Sequence, residues 1–153
     1  MKIVYTLYWA VFMYLFNFGS SLAQSSPSCE DLLEKYAQKP PLLDFVRCEE
    51  DRASPQLVIR MVYQVPGKDA QKVEDFLVKH YGMRALRWAC CGWESGQTGS
   101  LQSSPLQDKY DGAAISITMY GSGEKEDAEG KAYLVFDKEQ VDYFTVVVEV
   151  IDA

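Results

Sequence analysis

The side chains with the most chemistry to offer are four cysteines: Cys29, Cys48 and the adjacent pair Cys90 and Cys91. The pair opens the run Cys90-Cys91-Gly92-Trp93-Glu94. Thiols bridge, bind metal or attack, and their setting decides which. No C-x-x-C redox spacing is present. An even count in an exported domain reads as two structural disulfides. A bond between Cys90 and Cys91 would close a strained vicinal ring. The expectation is therefore that each of them reaches one of Cys29 and Cys48, with the choice of partner left open. On a single strand, neighbouring side chains point to opposite faces, so the two would staple different layers.

Other catalytic sets are thin. His80 is the only histidine, and helical spacing puts it in the last turn of a helix, where a cation suits the dipole. A zinc site would have to draw on the cysteines that export favours oxidising. The serines have no base with a recognisable signature. Acids cluster at Glu49, Glu50 and Asp51, and again at Glu124, Glu126, Asp127 and Glu129; such runs read as solvated loop charge. The second cluster lacks the alternating ladder of a calcium loop, and Gly121-Ser122-Gly123 is too short for a phosphate cradle. The reading is of a protein that is not an enzyme and has no cofactor or metal. The alternative enzyme is an envelope hydrolase using Glu94 with Glu49 or Glu50, which would need the two carboxylates about 5–9 Å apart. As binding residues the candidates are Trp93, Glu94 and Trp88. Trp93 offers a large apolar plane with one donor, useful in recognition or in packing over a disulfide.

The N-terminus reads as an address label. Lys2 is followed by an apolar stretch from Ile3 to Phe18, then by Gly19, Ser20, Ser21, Leu22 and Ala23. Small residues at Ser21 and Ala23 place a signal-peptidase cut after Ala23, and the stretch is short for a membrane span. Residues 1–23 are thus expected to be a cleaved signal peptide and 24–153 a single domain, periplasmic or secreted, with no membrane contact after cleavage. Losing the leader removes one lysine and moves the net charge from −7 to −8. That balance argues against nucleic acid, whose phosphates attract lysine and arginine, and favours a basic protein partner.

The elements that must position these groups follow from periodicity. Ser28 and Asp31 form a capping pattern ahead of a short helix with Leu32, Leu33 and Tyr36 inward; Pro40 and Pro41 end it. Leu42–Cys48 reads as a strand. Leu57, Ile59, Met61, Tyr63 and Val65 alternate cleanly, with Arg60 and Gln64 opposite. After Pro66-Gly67, Asp69 starts a helix with Ala70, Val73, Phe76, Leu77 and His80 at helical spacing, closed by Gly82. Leu86–Glu94 reads as one strand, 95–112 as a long loop, Ala113–Tyr120 as a strand and Gly121–Gly130 as an acidic loop. Lys131–Val141 is open between strand and helix. Tyr143–Ile151 is a last strand, with Phe144, Val146, Val148 and Val150 on one face and Tyr143, Thr145, Val147 and Glu149 on the other. The sum is an α+β domain: an antiparallel sheet of about five strands, disulfide-stapled, with two helices on one face. The other face keeps apolar groups suited to a partner.

Several local patterns together resemble a family of small exported bacterial proteins of unknown function, marked by the Cys-Cys-Gly-Trp-Glu run. They are Cys29-x-x-Leu32-Leu33, Lys39-Pro40, Phe45-Val46-x-Cys48, Tyr63-x-Val65-x-Gly67, Val73-Glu74, Tyr81-Gly82-Met83, Leu86-Arg87-Trp88 and Tyr143-Phe144-Thr145-Val146. The resemblance implies export and a shared α+β domain and names no activity. The functional expectation is an exported binding or inhibitor protein, such as an immunity protein neutralising a type VI secretion toxin. The alternative is a cell-envelope accessory protein.

Overall fold

The computed structural model describes residues 29–51, 57–110 and 112–151. The leader, its cut and Ser28 lie outside these residues. The elements run α1 (Leu32–Tyr36), β1 (Asp44–Asp51), β2 (Val58–Pro66), α2 (Ala70–Tyr81), β3 (Leu86–Ala89), β4 (Gly92–Ser95), β5 (Gly99–Ser100), α3 (Ser104–Lys109), β6 (Ala114–Ser122), β7 (Glu124–Glu126), β8 (Ala132–Leu134) and β9 (Tyr143–Ile151). Single 3₁₀ turns at Gly67–Asp69 and Lys138–Gln140 precede α2 and β9. The α+β class holds. The main sheet is antiparallel in the order β1-β2-β9-β6-β4-β3, with β5 also paired to β6 and β7-β8 as a separate hairpin.

Alternation decides which side is buried. Ile59, Met61, Tyr63 and Val65 of β2 face the same side as Phe144, Val146, Val148 and Val150 of β9 and Ile115, Ile117 and Met119 of β6. This inner side packs on Leu32, Leu33, Val73, Leu77, Met83 and Leu106. Burying each such aliphatic chain stabilises by about 1.5–3 kcal/mol. Tyr63 is fully buried and its hydroxyl ties α1 to the sheet: Leu33 N donates to it at 3.3 Å, and it donates to Asp31 Oδ1 at 3.0 Å. Asp31 is itself the cap of α1, accepting from Glu34 N at 3.1 Å.

Glu30 clamps the chain ahead of α1 to α3. Its carboxylate takes Lys35 Nζ at 2.6 Å, the Tyr36 hydroxyl at 3.0 Å and the Lys109 ammonium. Lys109 and Lys35 beside it hold its acidity down to about 2 from an ordinary 4.5. A depressed carboxyl stabilises the fold above the unfolded value and loses that effect as pH falls through the folded one. Glu30→Gln is therefore expected to be less stable than the parent at pH 7, by about 1 kcal/mol given partial exposure. The gap should close between pH 4.5 and pH 2, as read by urea midpoints across pH.

Gly121–Gly130, read as a loop, carries the end of β6 and all of β7, and three further readings need correction. Leu86–Glu94 is not one strand: it doubles back as the β3-β4 hairpin, Ala89 opposite Gly92, with Cys90 and Cys91 as its two-residue turn. Cys29 and Cys48 are bonded to each other, Cα to Cα 5.5 Å, leaving Cys90 and Cys91 as free thiols. The expected crossed pairing fails because the pair sits at a hairpin tip and not mid-strand between layers. The Cys29–Cys48 bond closes a separation of 19 residues, a loop whose constraint is worth about 3 kcal/mol in the chain-entropy picture. Finally, 95–112 is not a featureless loop. It holds β5 and α3, with Pro105 in the first turn of α3 and Leu106 fully buried.

Candidate functional site

The outer side of the sheet carries no helix among the described elements' core contacts, and its side chains line up in register across the strands. One row is Glu49, Arg60, Glu149 and Ser116; the next is Arg47, Val62, Val147 and Thr118; the third is Asp44, Gln64, Thr145, Tyr120, Glu94 and Arg87. Arg47 reaches this side because of a bulge between Phe45 and Arg47 that shifts strand parity by one residue.

Two connected depressions cover this face. The larger, about 810 Å³, is bounded by Arg47, Gln64, Tyr120, Glu124, Lys125 and Tyr143. The smaller, about 340 Å³, lies between Arg47, Glu49, Arg60 and Glu149. Val62 and Val147, at 3% and 7% exposure, are an apolar floor, while Tyr120 and Tyr143 at the rim are 48% and 53% exposed. The charges are paired within the face. Arg60 donates to Glu149 Oε1 through Nε at 2.8 Å and Nη2 at 2.6 Å. Arg47 Nε meets Glu49 at 2.6 Å, which holds the Glu49 carboxyl below its ordinary range. Lys125 meets Asp142 at 2.6 Å. Five carboxylates against three cations line the two depressions, so the face is acidic on balance.

The sequence-predicted residues divide between the two sides. Glu94 is on the outer face, in an exposed pair with Arg87 at 2.9 Å. Trp88 and Trp93 are directly opposite each other in the hairpin and point to the inner side. They meet edge to face at 5.6 Å. Trp93 packs against the core, Lys138 Nζ lies 5.0 Å over its ring, and Trp88 packs on Phe136 at 4.5 Å. Space for the Trp88 ring comes from Gly123, where a Cβ would stand 2.3 Å from it. Of the three candidates, only Glu94 stands in an outer-face row; Trp93 joins it in lining the larger depression, and Trp88 does not.

The acid couple of the alternative hydrolase is not assembled. Glu49 on β1 and Glu94 on β4 are separated by four inter-strand spacings, roughly 19 Å at about 4.8 Å each, far beyond a glycosidase pair. Glu50 pairs with Ile59 on the opposite side. In the second acidic cluster, Asp127 Oδ1 accepts from Glu129 N and Lys131 N at 3.1 and 2.8 Å, closing the β7-β8 turn. His80 stacks on Phe76 at 4.2 Å. Among the described residues no group of three or more His, Cys, Asp or Glu is placed to hold a metal ion. No described helix is long and apolar enough to cross a membrane.

Sequence reasoning missed Arg47 and Tyr120 as site residues. The alternation at Arg60, Gln64, Tyr143, Thr145 and Glu149 was the available signal; it fixes a side within each strand, while the rows appear only when register joins the strands.

Fold and site thus define an α+β domain whose main antiparallel sheet has a polar, tyrosine-rimmed open face. Residues 19–93, just under half of the chain, match a family model described as a domain of unknown function (DUF4952). That similarity agrees with the expected unknown-function family and stops at Trp93, inside the Cys-Cys-Gly-Trp-Glu run. No curated protein and no solved structure matches the chain.

Proposed function

We propose that the protein is an exported binding or inhibitor module that docks a basic protein partner on the outer face of its sheet, as an immunity protein against a type VI secretion toxin would. The observation that carries this is the outer face itself: an apolar floor of Val62 and Val147 inside a rim of half-exposed Tyr120 and Tyr143, with carboxylates in excess. Tyrosine supplies large contact area at small entropic cost and is enriched where partners bind. The paired arginines orient their acids without neutralising the face. The net charge, −7 for the whole chain and −8 without residues 1–23, would draw a basic partner from a distance.

The test is titration of the purified protein against the candidate effector encoded beside its gene. The expected result is a stoichiometric complex that weakens with salt, with Tyr120→Ala plus Tyr143→Ala weakening it about 30-fold or more. Full affinity of that double variant, or a complex indifferent to salt, would remove this face from the account. Failure of the wild-type protein to bind or protect would remove the immunity reading itself.

A further inference from the structure

The Cys90–Cys91 pair is used by neither the core nor the proposed docking rows. Both thiols are exposed, and their sulfurs lie 3.0 Å apart. Cys29 and Cys48 are consumed in their own bond, so within one chain each of the pair has only the other as a thiol partner. Their backbone is unusual. Cys90 has φ +54°, a left-handed conformation that costs a non-glycine residue about 1–2 kcal/mol. It occupies the first position of a two-residue hairpin turn, the place a type II′ turn gives to glycine. A side chain kept at a strained position points to a use for that side chain. The Cys91 thiol is pushed above the ordinary range by the hydrogen bond it shares with Cys90, with Glu124 adding to the effect.

We propose that Cys90 and Cys91 form a reversible dithiol–disulfide couple, closing a vicinal ring at the hairpin tip by exchange with a small-molecule disulfide or a thiol–disulfide oxidoreductase. One cysteine, as thiolate, attacks the external disulfide; a mixed disulfide forms and one external thiolate leaves. The second cysteine loses its proton and attacks the first sulfur, forming the internal bond and expelling the second external thiolate. Two cysteine thiols are oxidised, one external disulfide is reduced to two thiols, and both protons end on those thiols. Adjacent residues hold their Cα atoms about 3.8 Å apart, short of the roughly 4.4–6.8 Å of ordinary disulfides. Strained, exposed bonds are the readily reduced ones, so this ring opens under conditions that leave Cys29–Cys48 closed. The tip is coupled to the outer face: Cys91 borders the larger depression, and its carbonyl accepts from Gly123 N at 2.9 Å.

The experiment equilibrates the native protein in glutathione mixtures from fully reduced to fully oxidised, quenches with acid, alkylates free thiols and maps peptides by mass. The expected result is that the Cys90–Cys91 peptide passes from two alkyl groups to none, lighter by two hydrogens than the dithiol, while Cys29–Cys48 stays closed throughout. In Cys90→Ser, Cys91 should instead accumulate one glutathione; Cys91→Ser should do the same at Cys90. Two alkylated thiols at every ratio, or wild-type protein ending as glutathione adducts or as disulfide-linked dimers, would overturn the proposal.

Discussion

Lys138→Ala should lower the stability of the protein by about 3–5 kcal/mol, the range for stripping a buried charge of its partner. The partner is Glu74, on α2, 2% exposed and one of the largest fully enclosed side chains. Its two oxygens have separate duties. Oε1 accepts from Leu86 N at 2.7 Å, holding the start of β3 to the helix, and Oε2 takes Lys138 Nζ at 2.5 Å. Lys138 is further fixed by Gln71 Oε1 at 3.1 Å and by the Trp93 ring. Without the ammonium, the carboxylate keeps a single donor in a site water barely reaches. The lysine end is 18% exposed, which argues for the lower half of the range. Urea denaturation measures the loss. Glu74→Gln with Lys138→Ala should recover part of it, because the buried charge is gone while an acceptor for Leu86 N remains. A loss under about 1 kcal/mol would mean the pair behaves as a surface bridge.

The second large effect is expected one turn away. Gly67→Ala should cost about 3 kcal/mol or more, as overpacking against backbone does when nothing flexible can yield. A Cβ there would stand 2.0 Å from the Val141 carbonyl oxygen and 2.5 Å from that of Lys138. Both atoms belong to the segment around the 3₁₀ turn that leads into β9, and Gly67 N donates to Asp142 O at 3.4 Å across the same joint. The turn would have to lift off, carrying Lys138 away from Glu74, so the two losses should be less than additive when combined. Hydrogen exchange should quicken at Gly67 and Val141 first. Gly130→Ala is the control: no atom stands within 4 Å of its Cβ and only its φ of +78° opposes alanine, a cost of about 1–2 kcal/mol.

The parts legible in the sequence were those with long, uninterrupted periods. The alternation of Ile59, Met61, Tyr63 and Val65, that of Phe144 through Val150, and the helical spacing from Ala70 to Leu77 each became the element expected. What failed was punctuation. The β3-β4 turn carries two cysteines where asparagine or glycine would announce a hairpin, so Leu86–Glu94 read as continuous. The Ser-Pro start of α3 was submerged in a Ser-, Gly- and Gln-rich stretch. Disulfide pairing depends on which residues the fold brings together, which spacing does not encode. The candidate site was legible only by halves: parity within β2 and β9 set Arg60 and Glu149 on one side, but the bulge that turns Arg47 to that side leaves no mark in the alternation.

The strand order has a consequence for how the protein acquires its shape. β9, the last of the described strands along the chain, lies between β2 and β6 and is hydrogen-bonded on both edges. The stretch resembling the DUF4952 family ends before either β6 or β9 begins. A nascent chain that has emerged only as far as β4 holds two strand pairs whose inner neighbours, β9 beside β2 and β6 beside β4, are missing, each offering a bare edge to other molecules. Assembly must wait for the C-terminal segment to thread between them, so the domain is expected to mature in one late, cooperative step, and shortening it ahead of Tyr143 would leave aggregation-prone halves.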